Sequence, residues 1–570
     1  MKIKFLLPLL LLLSACSIDY GSEMSHLSSS ISSSSSSEEI IEYEKDEEGF
    51  YILEDDYFSN TSIDDNKKVS KVRFSKDIDD FYDFNNMFRM YIGSERVPIY
   101  RVKTNFAQTW HGSAPNRMDN GVASIELEGK VNIKIQTSFS LNDDVTIRPL
   151  EANIKPVLDE NRRVISFDIT SSGQYTIEFR GKRTLHLFVN DYFDNSEYLS
   201  ASKLIHFTKG VYNKDNCSYI DKNNTINLAS NTTVVIDDGA IIQGGFYAYD
   251  KSNIKIVGLG IVDGSVFERD AEKGSRMIPF VFEYCSNIHI TGITTLDPAG
   301  WTYNMYFTNE LYMDNIKIIS SRSNGDGISL QSCTNAEVRN CFVRSWDDSL
   351  VVKNYPRWNN KNLHGTTRNI LFEDCILWTD LAQSMEIGFE TVGEVMENII
   401  FNNITVLHNF HKPPISIHNG NNAHIKDVEF KNITVEDGSM GKGDGKNYLI
   451  EFTAEHSSTW SDQHTITSLG EVDGVIVDNV KIIECNNPKV SLRGSIDKRS
   501  GYNNTLHEVK NITFQDVLIK DTILDDNYPN LEMVHTKNIY FVTTGREIIG
   551  AKTKYDDVSS YGSAYIIEAI

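Results

Sequence analysis

The segments "NILFEDC" (residues 369–375) and "NIIFNNI" (residues 398–404) follow one pattern, which recurs through the second half of the chain. In most copies a polar or small residue, usually asparagine, begins an alternation of apolar and polar residues. Six residues later most copies carry another small or apolar residue, such as Ile293, Cys341 or Ile404. Copies start at residues 253, 287, 315, 335, 369, 398, 427, 474, 511 and 538, at intervals of 20 to 47 residues. A repeat of this period indicates a solenoid, a propeller or another repeat array.

The residue types of the repeat favour strands over helices. β-Branched residues and asparagine dominate, and few stretches have the 3.6-residue period of a helix. Leucine-rich repeats need a helix in most units, and propeller repeats need four regular strands. A parallel β-helix fits better, because each coil covers the edge of its neighbour and stacks its side chains inside. We therefore predict an all-β protein with a right-handed parallel β-helix over residues 200–545 and a tail over residues 546–570.

A different sequence pattern precedes the repeats. Between residues 72 and 199, segments such as "VASIELEG" and "VNIKIQTS" alternate apolar and polar residues and are separated by glycine, asparagine and aspartate. Short strands at this spacing are typical of an antiparallel sandwich. We predict a small antiparallel β-sandwich in front of the β-helix, with an accessory role.

The first sixteen residues, "MKIKFLLPLLLLLSAC", read as a secretion signal, since two lysines precede an apolar stretch too short to span a bilayer. "LSAC" resembles a bacterial lipobox, and the resemblance implies a lipid on Cys16. Residues 17–71 follow as a serine-rich and acidic linker, which we expect to be disordered because it has little apolar surface to bury. The expected location is the bacterial cell surface, with membrane attachment through Cys16.

Charge and cysteine usage exclude several classes of function. The chain has 79 acidic against 55 basic residues and a net charge of -24, and no basic stripe marks a nucleic-acid partner. The cysteines beyond residue 16 have neither CxxC spacing nor neighbouring histidines, so no zinc site is predicted. Cys341 and Cys375 occupy equivalent inward positions on neighbouring coils and read as small core residues, with a disulfide left open. We expect a monomer that holds neither a metal nor another cofactor.

Three aspartates have a spacing that a β-helix makes meaningful. Asp326 in "NGDGI" precedes the pair Asp347 and Asp348 in "WDDSL" by twenty-one residues, about one coil. The three side chains then lie on adjacent coils, one strand spacing of about 4.8 Å apart, provided that a bend lets both members of the pair face outward. Neighbouring carboxylates shift each other's pKa, so one can stay protonated while another is ionised. Glycoside hydrolysis uses such an acid and base, and a separation of about 6.5–9.5 Å selects inversion.

"NGDGI" followed by "WDDSLVVK" resembles the catalytic region of the inverting parallel β-helix glycosidases. This clan joins the polygalacturonases (glycoside hydrolase family 28) with the dextranases and isopullulanases (family 49). The resemblance implies that Asp347 is the general acid and that Asp326 and Asp348 activate water. It extends over most of residues 200–545, and the aspartate trio is its specific part.

Two departures from the polygalacturonase pattern bear on the substrate. Gln383 in "LAQSMEIGFET" stands where polygalacturonases carry a histidine. One coil later their Arg-Ile-Lys, which holds the substrate carboxylate, aligns with Ser416, Ile417 and His418. Serine and histidine do not replace the charge-assisted hydrogen bonds of arginine and lysine, so we expect a neutral sugar. "MEIGFETVGEVMENIIFNNITVLH" also resembles the dextranase side of the clan, as does a preceding sandwich, which favours a neutral α-linked glucan.

Further side chains are candidates for contact with a polysaccharide. Tryptophans can stack on the apolar face of a pyranose, a lysine near the trio stabilises ionised carboxylates, and polar side chains on later coils can bind hydroxyl groups. For each of them ordinary packing or a surface position is the competing interpretation. The candidates are Trp301, Trp346, Lys353, Gln383, Glu386 and His418.

Three other functions remain open at this stage. The first keeps the hydrolase and changes the substrate to galacturonan, or the action to that of an exo-galactosidase. The second is a polysaccharide lyase, which the absence of an obvious arginine or lysine base disfavours. The third is a non-catalytic glycan-binding surface solenoid, which has no reason to collect three carboxylates.

Overall fold

The computed structural model describes residues 43–54, 56–59, 70–76, 78, 86–105, 117–141, 144–179, 183–269, 277–355, 365–439, 448–456, 468–486, 488–499, 501–543 and 547–554. The predicted secretion signal, Cys16 and the serine-rich stretch lie outside the described residues. Within these ranges the helical elements are two 3-10 turns, Leu150–Ala152 and Tyr198–Ser200. The described residues contain no helix with the length and apolar character needed to cross a membrane.

From residue 204 onward the chain forms the predicted right-handed parallel β-helix, whose coils stack around one continuous apolar core from Phe207 to Phe541. Each coil contributes one strand to a sheet that we call the site sheet. The eleven parallel strands of the site sheet are Thr225–Asn227, Gly245–Tyr249, Phe280–Glu283, Tyr303–Tyr306, Ile328–Gln331, Leu350–Asn354, Met385–Thr391, Ile415–Asn419, Tyr448–Ala454, Lys489–Arg493 and Leu531–Val534.

The other strands of the coils form one sheet of 21 strands, to which most early coils contribute two strands and the later coils one long strand. The first strands of the early coils are Leu204–Phe207, Thr233–Ile236, Ser252–Gly258, Ser286–Thr291, Asn309–Asp314, Thr334–Arg339 and Gly365–Glu373. Their second strands are Gly210–Tyr212, Ala240–Ile242, Ile261–Asp263, Thr294–Leu296, Lys317–Ile319, Phe342–Ser345 and Ile376–Thr379. The sheet continues with Gly393–Asn409, His424–Gly438, Glu471–Cys485, Val509–Ile519, Thr522–Ile523, Thr536–Thr543 and Glu547–Lys554, and a separate pair is Ser495–Asp497 with Thr505–His507.

The asparagines of the repeat form a ladder along one corner of the helix. They adopt the left-handed backbone conformation that asparagine tolerates better than most residues. Several side-chain amides donate to their equivalents on the preceding coil: Asn287 to Asn253 at 2.7 Å, and Asn398 to Asn369 at 2.8 Å. The ladder explains why asparagine begins most copies of the repeat.

One copy of the repeat was predicted in the wrong register. The structure places Glu310, not Asn315, at the left-handed corner of that coil, and Asn315 lies at the following corner. Ile316, six residues after Glu310, then enters the core between Ile293 and Cys341. The corrected start restores the six-residue rule, which the copy at 315 had broken. Cys341 and Cys375 are buried in the core as predicted and are free thiols.

Two sheets that share an apolar core form the predicted sandwich. One pairing departs from the antiparallel prediction, because Arg183–Asn190 runs parallel to Arg117–Glu128. The six-stranded sheet contains Lys71–Arg73, Tyr100–Asn105, Arg117–Glu128, Val145–Arg148, Gly173–Phe179 and Arg183–Asn190. The five-stranded sheet contains Phe88–Ile92, Glu95–Val97, Val131–Thr137, Val157–Asp159 and Val164–Ile169.

The sandwich packs on the second strands of the coils through an apolar cluster that includes Phe188, Phe342 and Trp378. Arg344 is fully buried beside this cluster. Its Nε lies 3.2 Å from Oδ2 of Asp380, and its guanidinium lies 3.9 Å from the ring centre of Trp378. The same guanidinium donates to the hydroxyl of Thr184 at 3.2 Å and lies 3.2 Å from Nε2 of His186, and both partners belong to the sandwich. This buried arginine therefore links the sandwich to the helix within one compact unit.

Two predicted boundaries need correction. Part of the acidic segment, expected to be disordered up to residue 71, packs on the sandwich: Arg89 binds Asp46 at 2.5 Å and Glu48 at 2.6 Å. Phe50 of the same segment is fully buried. At the other end, the strand Glu547–Lys554 pairs with Thr536–Thr543, so regular structure passes the predicted boundary at residue 545.

Candidate active site

The three aspartates lie in stacked turns that lead into neighbouring strands of the site sheet. Asp326 precedes the strand Ile328–Gln331, and the pair Asp347 and Asp348 precedes the adjacent strand Leu350–Asn354. The amide of Gly327 donates to the carbonyl of Asp348 at 2.8 Å. The twenty-one residues therefore span one coil, as the spacing predicted. The chain bends at residues 346 and 347, which frees the pair from the alternation of a strand.

Glycine flanks Asp326 because the neighbouring chain comes too close for a side chain. A Cβ on Gly327 would lie 2.4 Å from the carbonyl oxygen of Ser349, and one on Gly325 would lie 2.6 Å from that of Arg322. The "NGDG" sequence thus specifies a tight corner that holds Asp326 against the next coil.

A chain of hydroxyl groups holds the bend at the aspartate pair. The hydroxyl of Ser345 donates to the carbonyl of Asp347 at 2.6 Å and lies 2.7 Å from the hydroxyl of Ser349. The chain continues at 2.7 Å per step from Ser349 to Thr379 and from Thr379 to Ser384. These hydroxyls are buried and neutral, so they orient the turn without adding charge to the trio.

The trio brings three carboxylates together with little access to water. One oxygen from each can be chosen so that all three lie within 4.8 Å of one another. Asp326 is 2% exposed and Asp348 7%, whereas Asp347 is half-buried. Among the described residues, Oδ1 of Asp326 has no hydrogen-bond partner. Burial, and for Asp326 and Asp348 the charge of Asp347, raises the pKa of each carboxyl, which favours a protonated member.

Lys353 stands beside the trio, as the sequence suggested. Its Nζ lies 3.9 Å from Oδ2 of Asp348 and 3.2 Å from Oε2 of Glu390, a residue that the sequence analysis missed. Although burial lowers the pKa of Lys353, Glu390 and then the three aspartates hold it well above the usual range. The ammonium group in turn lowers the pKa of each aspartate and offsets part of the burial effect.

Arg269 is a second residue that the sequence analysis missed. It donates to the side-chain oxygen of Asn324 at 2.5 Å and lowers the pKa of Asp347. It lies in the segment between two repeats, far from the aspartates in sequence, and no local motif marks it.

Gln383 is buried, and the structure gives it a role through its backbone. Its amide donates to Oδ1 of Asp348 at 3.3 Å, and its carbonyl accepts from the amide of Ser349 at 2.9 Å. The backbone of Gln383 therefore fixes the orientation of Asp348, independently of the contacts of the Gln383 side chain.

Glu386 and His418 belong to a buried ionic network on the coils after the trio. Nδ1 of His418 lies 2.8 Å from Oε1 of Glu386, and Nε2 lies 3.2 Å from Oε2 of Glu451. Although burial lowers it, the two carboxylates raise the pKa of His418 to about 10. Arg493 binds the other oxygen of Glu451 at 2.7 Å, and the ring of Phe389 stacks on His418 at 4.2 Å. His418 is therefore a histidinium whose charge is already neutralised.

The two candidate tryptophans differ. Trp301 is half-buried, and its ring centre lies 5.9 Å from Nζ of Lys353, so it stands at the edge of the trio. Trp346 is 1% exposed and packs with Leu381, so no sugar ring can stack on it. The expectation that Trp346 contacts substrate is therefore corrected to a packing role.

Comparisons with known proteins support the fold and the glycoside hydrolase class. Residues 214–437 match the model of "Glycosyl hydrolases family 28". A probable polygalacturonase of Vitis vinifera is 23% identical over 164 residues, which are 28% of this chain and 33% of that protein. A probable exopolygalacturonase B of Neosartorya fischeri is 24% identical over 216 residues, 34% of this chain and 45% of that protein. The chain thus spans between a third and a half of these relatives.

A solved structure supports the fold over a longer range. Dex49A from Penicillium minioluteum superposes with a TM-score of 0.51 at 13% identity, over 79% of this chain and 94% of that one. The chain therefore resembles the clan of parallel β-helix glycosidases in fold, and family 28 in the residues that carry the trio.

The burial of the trio predicts a gain in stability when one carboxyl is removed. An aspartate whose pKa is raised in the folded state does not destabilise the protein at a pH below its ordinary pKa of about 4. The destabilisation grows as the pH rises and is complete above the pKa of the folded state. Asp326→Asn should therefore stabilise the protein by about 1 kcal/mol or more at pH 7.5 and by much less at pH 4. Thermal midpoints at the two pH values measure this difference. Asp521→Asn, which removes an exposed carboxylate, should change neither midpoint; a loss of stability in Asp326→Asn at pH 7.5 contradicts the burial argument.

Proposed function

We propose that the protein is a glycoside hydrolase that cleaves an α-linked, neutral polysaccharide, with Asp326, Asp347 and Asp348 as its acid and base groups. The observation that carries the proposal is the trio itself: three desolvated carboxylates within 4.8 Å, beside one ammonium group. Removing three carboxylates from water is energetically unfavourable, and such clusters of buried titratable groups occur mainly at functional sites. The match to glycosyl hydrolases family 28 over residues 214–437 supports the same reaction class.

The roles follow from the environment of each carboxyl. Asp347 is the most accessible of the three, so its carboxyl can reach the oxygen of the leaving sugar and protonate it. Asp348 lies nearest to Lys353 and receives the amide of Gln383, and both contacts stabilise a carboxylate that accepts a proton from water. Asp326 shares that water from the adjacent coil. This assignment agrees with the roles that the resemblance implies.

Inversion is proposed from the resemblance and not from the distance between carboxylates. The closest oxygens lie within 4.8 Å, which is less than the separation of about 6.5–9.5 Å expected for an inverting pair. An inverting reaction therefore requires the water to be held between Asp326 and Asp348 at the edge of the trio. Proton NMR of the first product formed distinguishes inversion from retention.

The preference for a neutral sugar rests on the network after the trio. At the place where polygalacturonases carry Arg-Ile-Lys, Ser416 donates its hydroxyl to Glu386, and His418 is bound by Glu386 and Glu451. A uronate carboxylate entering here would meet two carboxylates and a cation that is already paired. Like charges brought close to each other cost several kcal/mol, whereas a neutral sugar at this place meets no such repulsion.

A galacturonan hydrolase is the second candidate. The observation that favours it is the set of curated relatives, whose names are those of polygalacturonases. Those relatives are at most 28% identical and match less than half of their own length, so a change of substrate within the same reaction is compatible with them.

The location proposed for the enzyme is the cell surface, with a lipid on Cys16 as the anchor. Labelling of cells with a fatty-acid analogue, compared between the natural protein and Cys16→Ala, decides between an anchored and a released enzyme.

The acid assignment predicts that Asp347→Asn loses activity. We expect kcat to fall by about 10²–10⁴-fold, the usual contribution of a general acid. Reducing ends released from dextran, pullulan, galactan and polygalacturonate are measured for the purified natural protein and the variant. Asp521→Asn is the matched control, since it makes the same change at an exposed site. Activity in Asp347→Asn equal to that of the natural protein eliminates this residue as the acid. In a separate measurement, chelation of divalent cations should leave the rate of the natural protein unchanged.

Charge selectivity can be separated from linkage with a matched pair of polymers. Polygalacturonate and its carboxyl-reduced form share one linkage and differ only in charge. The ionic network predicts that kcat/KM is about 100-fold or more higher for the reduced polymer, if that linkage is cleaved at all, because like-charge contacts cost several kcal/mol. A preference for the charged polymer establishes the galacturonan hydrolase instead.

Lys353 and Glu390 predict opposite shifts of the pH profile. Lys353 lowers the pKa of each aspartate, so Lys353→Met should move the acidic limb of kcat/KM to higher pH. Glu390 raises the pKa of Asp326 and Asp347, so Glu390→Gln should move that limb to lower pH. Rates across pH 3–8 on the best substrate measure both shifts. Shifts in the same direction in the two variants contradict this account of the trio.

A further inference from the structure

A cavity of about 370 Å³ lies where the sandwich meets the early coils of the helix, and we call it the junction cavity. Its sandwich side carries Arg101 and Lys103, from the strand Tyr100–Asn105, and Arg117, from the strand that pairs with it. Its helix side carries Asp263 and Asp297, which lie at the ends of second strands on consecutive coils. Both domains are needed to form this cavity.

The junction cavity lies close to the trio along the helix axis. Arg322 lines it and belongs to the same turn as Asp326. The guanidinium of Arg322 donates to the carbonyl of Ser265 at 3.1 Å, two coils earlier, and to Asp297 at 3.0 Å on the coil between. Successive coils lie about 4.8 Å apart, so the cavity spans roughly 5–10 Å along the helix axis. It lies over the coils that precede the trio, whereas the ionic network lies on the coils that follow it. A polysaccharide chain that runs along the helix axis from the trio towards the earlier coils would pass the level of this cavity.

The charges that line the cavity are largely paired with one another. Asp297 accepts from both Arg117 and Arg322, and Lys103 lies 3.3 Å from Asp119. The lining holds four cationic and two anionic side chains, and their guanidinium and carboxylate groups offer many donors and acceptors. An ionic ligand would have to break these pairs, whereas a ligand with several hydroxyl groups can add hydrogen bonds to them.

Two further features suit a sugar. The carboxylate of Asp263 is 1% exposed at the wall, where it accepts from the amide of Ser265 at 2.9 Å and from Gln243 at 3.3 Å. Val266 is 53% exposed at the cavity and gives the apolar C–H face of a pyranose a surface to contact. Polar groups that converge next to a small apolar surface are the usual composition of a site for a neutral carbohydrate.

We propose that the junction cavity is a carbohydrate subsite, which binds a neutral sugar residue of the substrate chain remote from the bond that is cleaved. The sandwich is then part of the substrate-binding surface and not only an accessory domain. This inference rests on the proposed function and adds a place and a set of residues to it. It predicts that binding energy at the cavity is available only to chains long enough to reach it from the trio.

The test uses two kinds of variant in the full-length protein. Arg101→Ala removes a donor from the cavity, and Val266→Trp fills the cavity with a bulky ring. Neither position takes part in the ion pairs of Asp297, so the junction should remain intact, and an unchanged thermal midpoint checks this. Matched controls on the sandwich surface are Arg96→Ala, which removes an exposed guanidinium, and Val157→Trp, which adds a ring at a valine that is 69% exposed.

The readout is kcat/KM for a series of oligosaccharides of increasing length, taken from the polymer that the natural protein cleaves. We expect both cavity variants to lose at least 5-fold on the longest oligosaccharides and less than 2-fold on the shortest one cleaved, with the controls unchanged. In the Asp347→Asn background, calorimetry should show the same loss of affinity for the long oligosaccharide. An equal loss at every length, or no loss at any, overturns the subsite. The natural protein is assayed before any variant. If it cleaves no polysaccharide, the proposed function itself is overturned.

Discussion

The structure depends on hydrogen bonding between successive coils. Because of this pairing, residues about one coil apart in the sequence lie only one strand spacing apart in space. Every strand of the site sheet pairs in parallel with the strand of the next coil, and the corners between strands are held by left-handed asparagines whose amides bond to each other. The register of these corners decides which side chains enter the core and which reach the outer surface. Asp326 meets Asp347 and Asp348 only because the coil between them has the right length, so the site is a consequence of the stacking.

The same stacking creates an electrostatic cost that the site has to offset. Close coils leave the trio little access to water, and burial raises the pKa of all three carboxyls. The surrounding hydroxyl chain is neutral and orients the turn without relieving the charge. The ammonium group of Lys353 contributes the nearest opposite charge, and Glu390 keeps that lysine protonated. Lys353 thus lowers the pKa values that burial raises, and its partner Glu390 lies on the next coil.

The sequence predicted the features that depend on periodicity and failed where contacts between distant segments decide. Period and residue type were sufficient for the β-helix, the sandwich and the adjacency of the aspartates. The copy at Asn315 was misread because asparagine also occurs at the second corner of a coil, and only pairing between coils shows that Glu310 occupies the first corner here. Composition alone marked the acidic segment as disordered, whereas Arg89, far along the chain, binds Asp46 and Glu48. Arg269 was missed because no motif marks it. Glu390 lies in "LAQSMEIGFET", but only the stacking of coils shows that it pairs with Lys353.

The ionic network after the trio shows why aligned positions alone do not decide the specificity for charge. Replacing Arg-Ile-Lys by Ser416, Ile417 and His418 removes two cations from the sequence pattern, but a protonated His418 could still attract a uronate. In the structure Glu386 and Glu451 hold the imidazolium between them and, although burial lowers it, raise its pKa to about 10. The positive charge is present and already satisfied. Selectivity against acidic sugars would then arise from buried partners contributed by neighbouring coils, and not from the identity of the residue that faces the substrate.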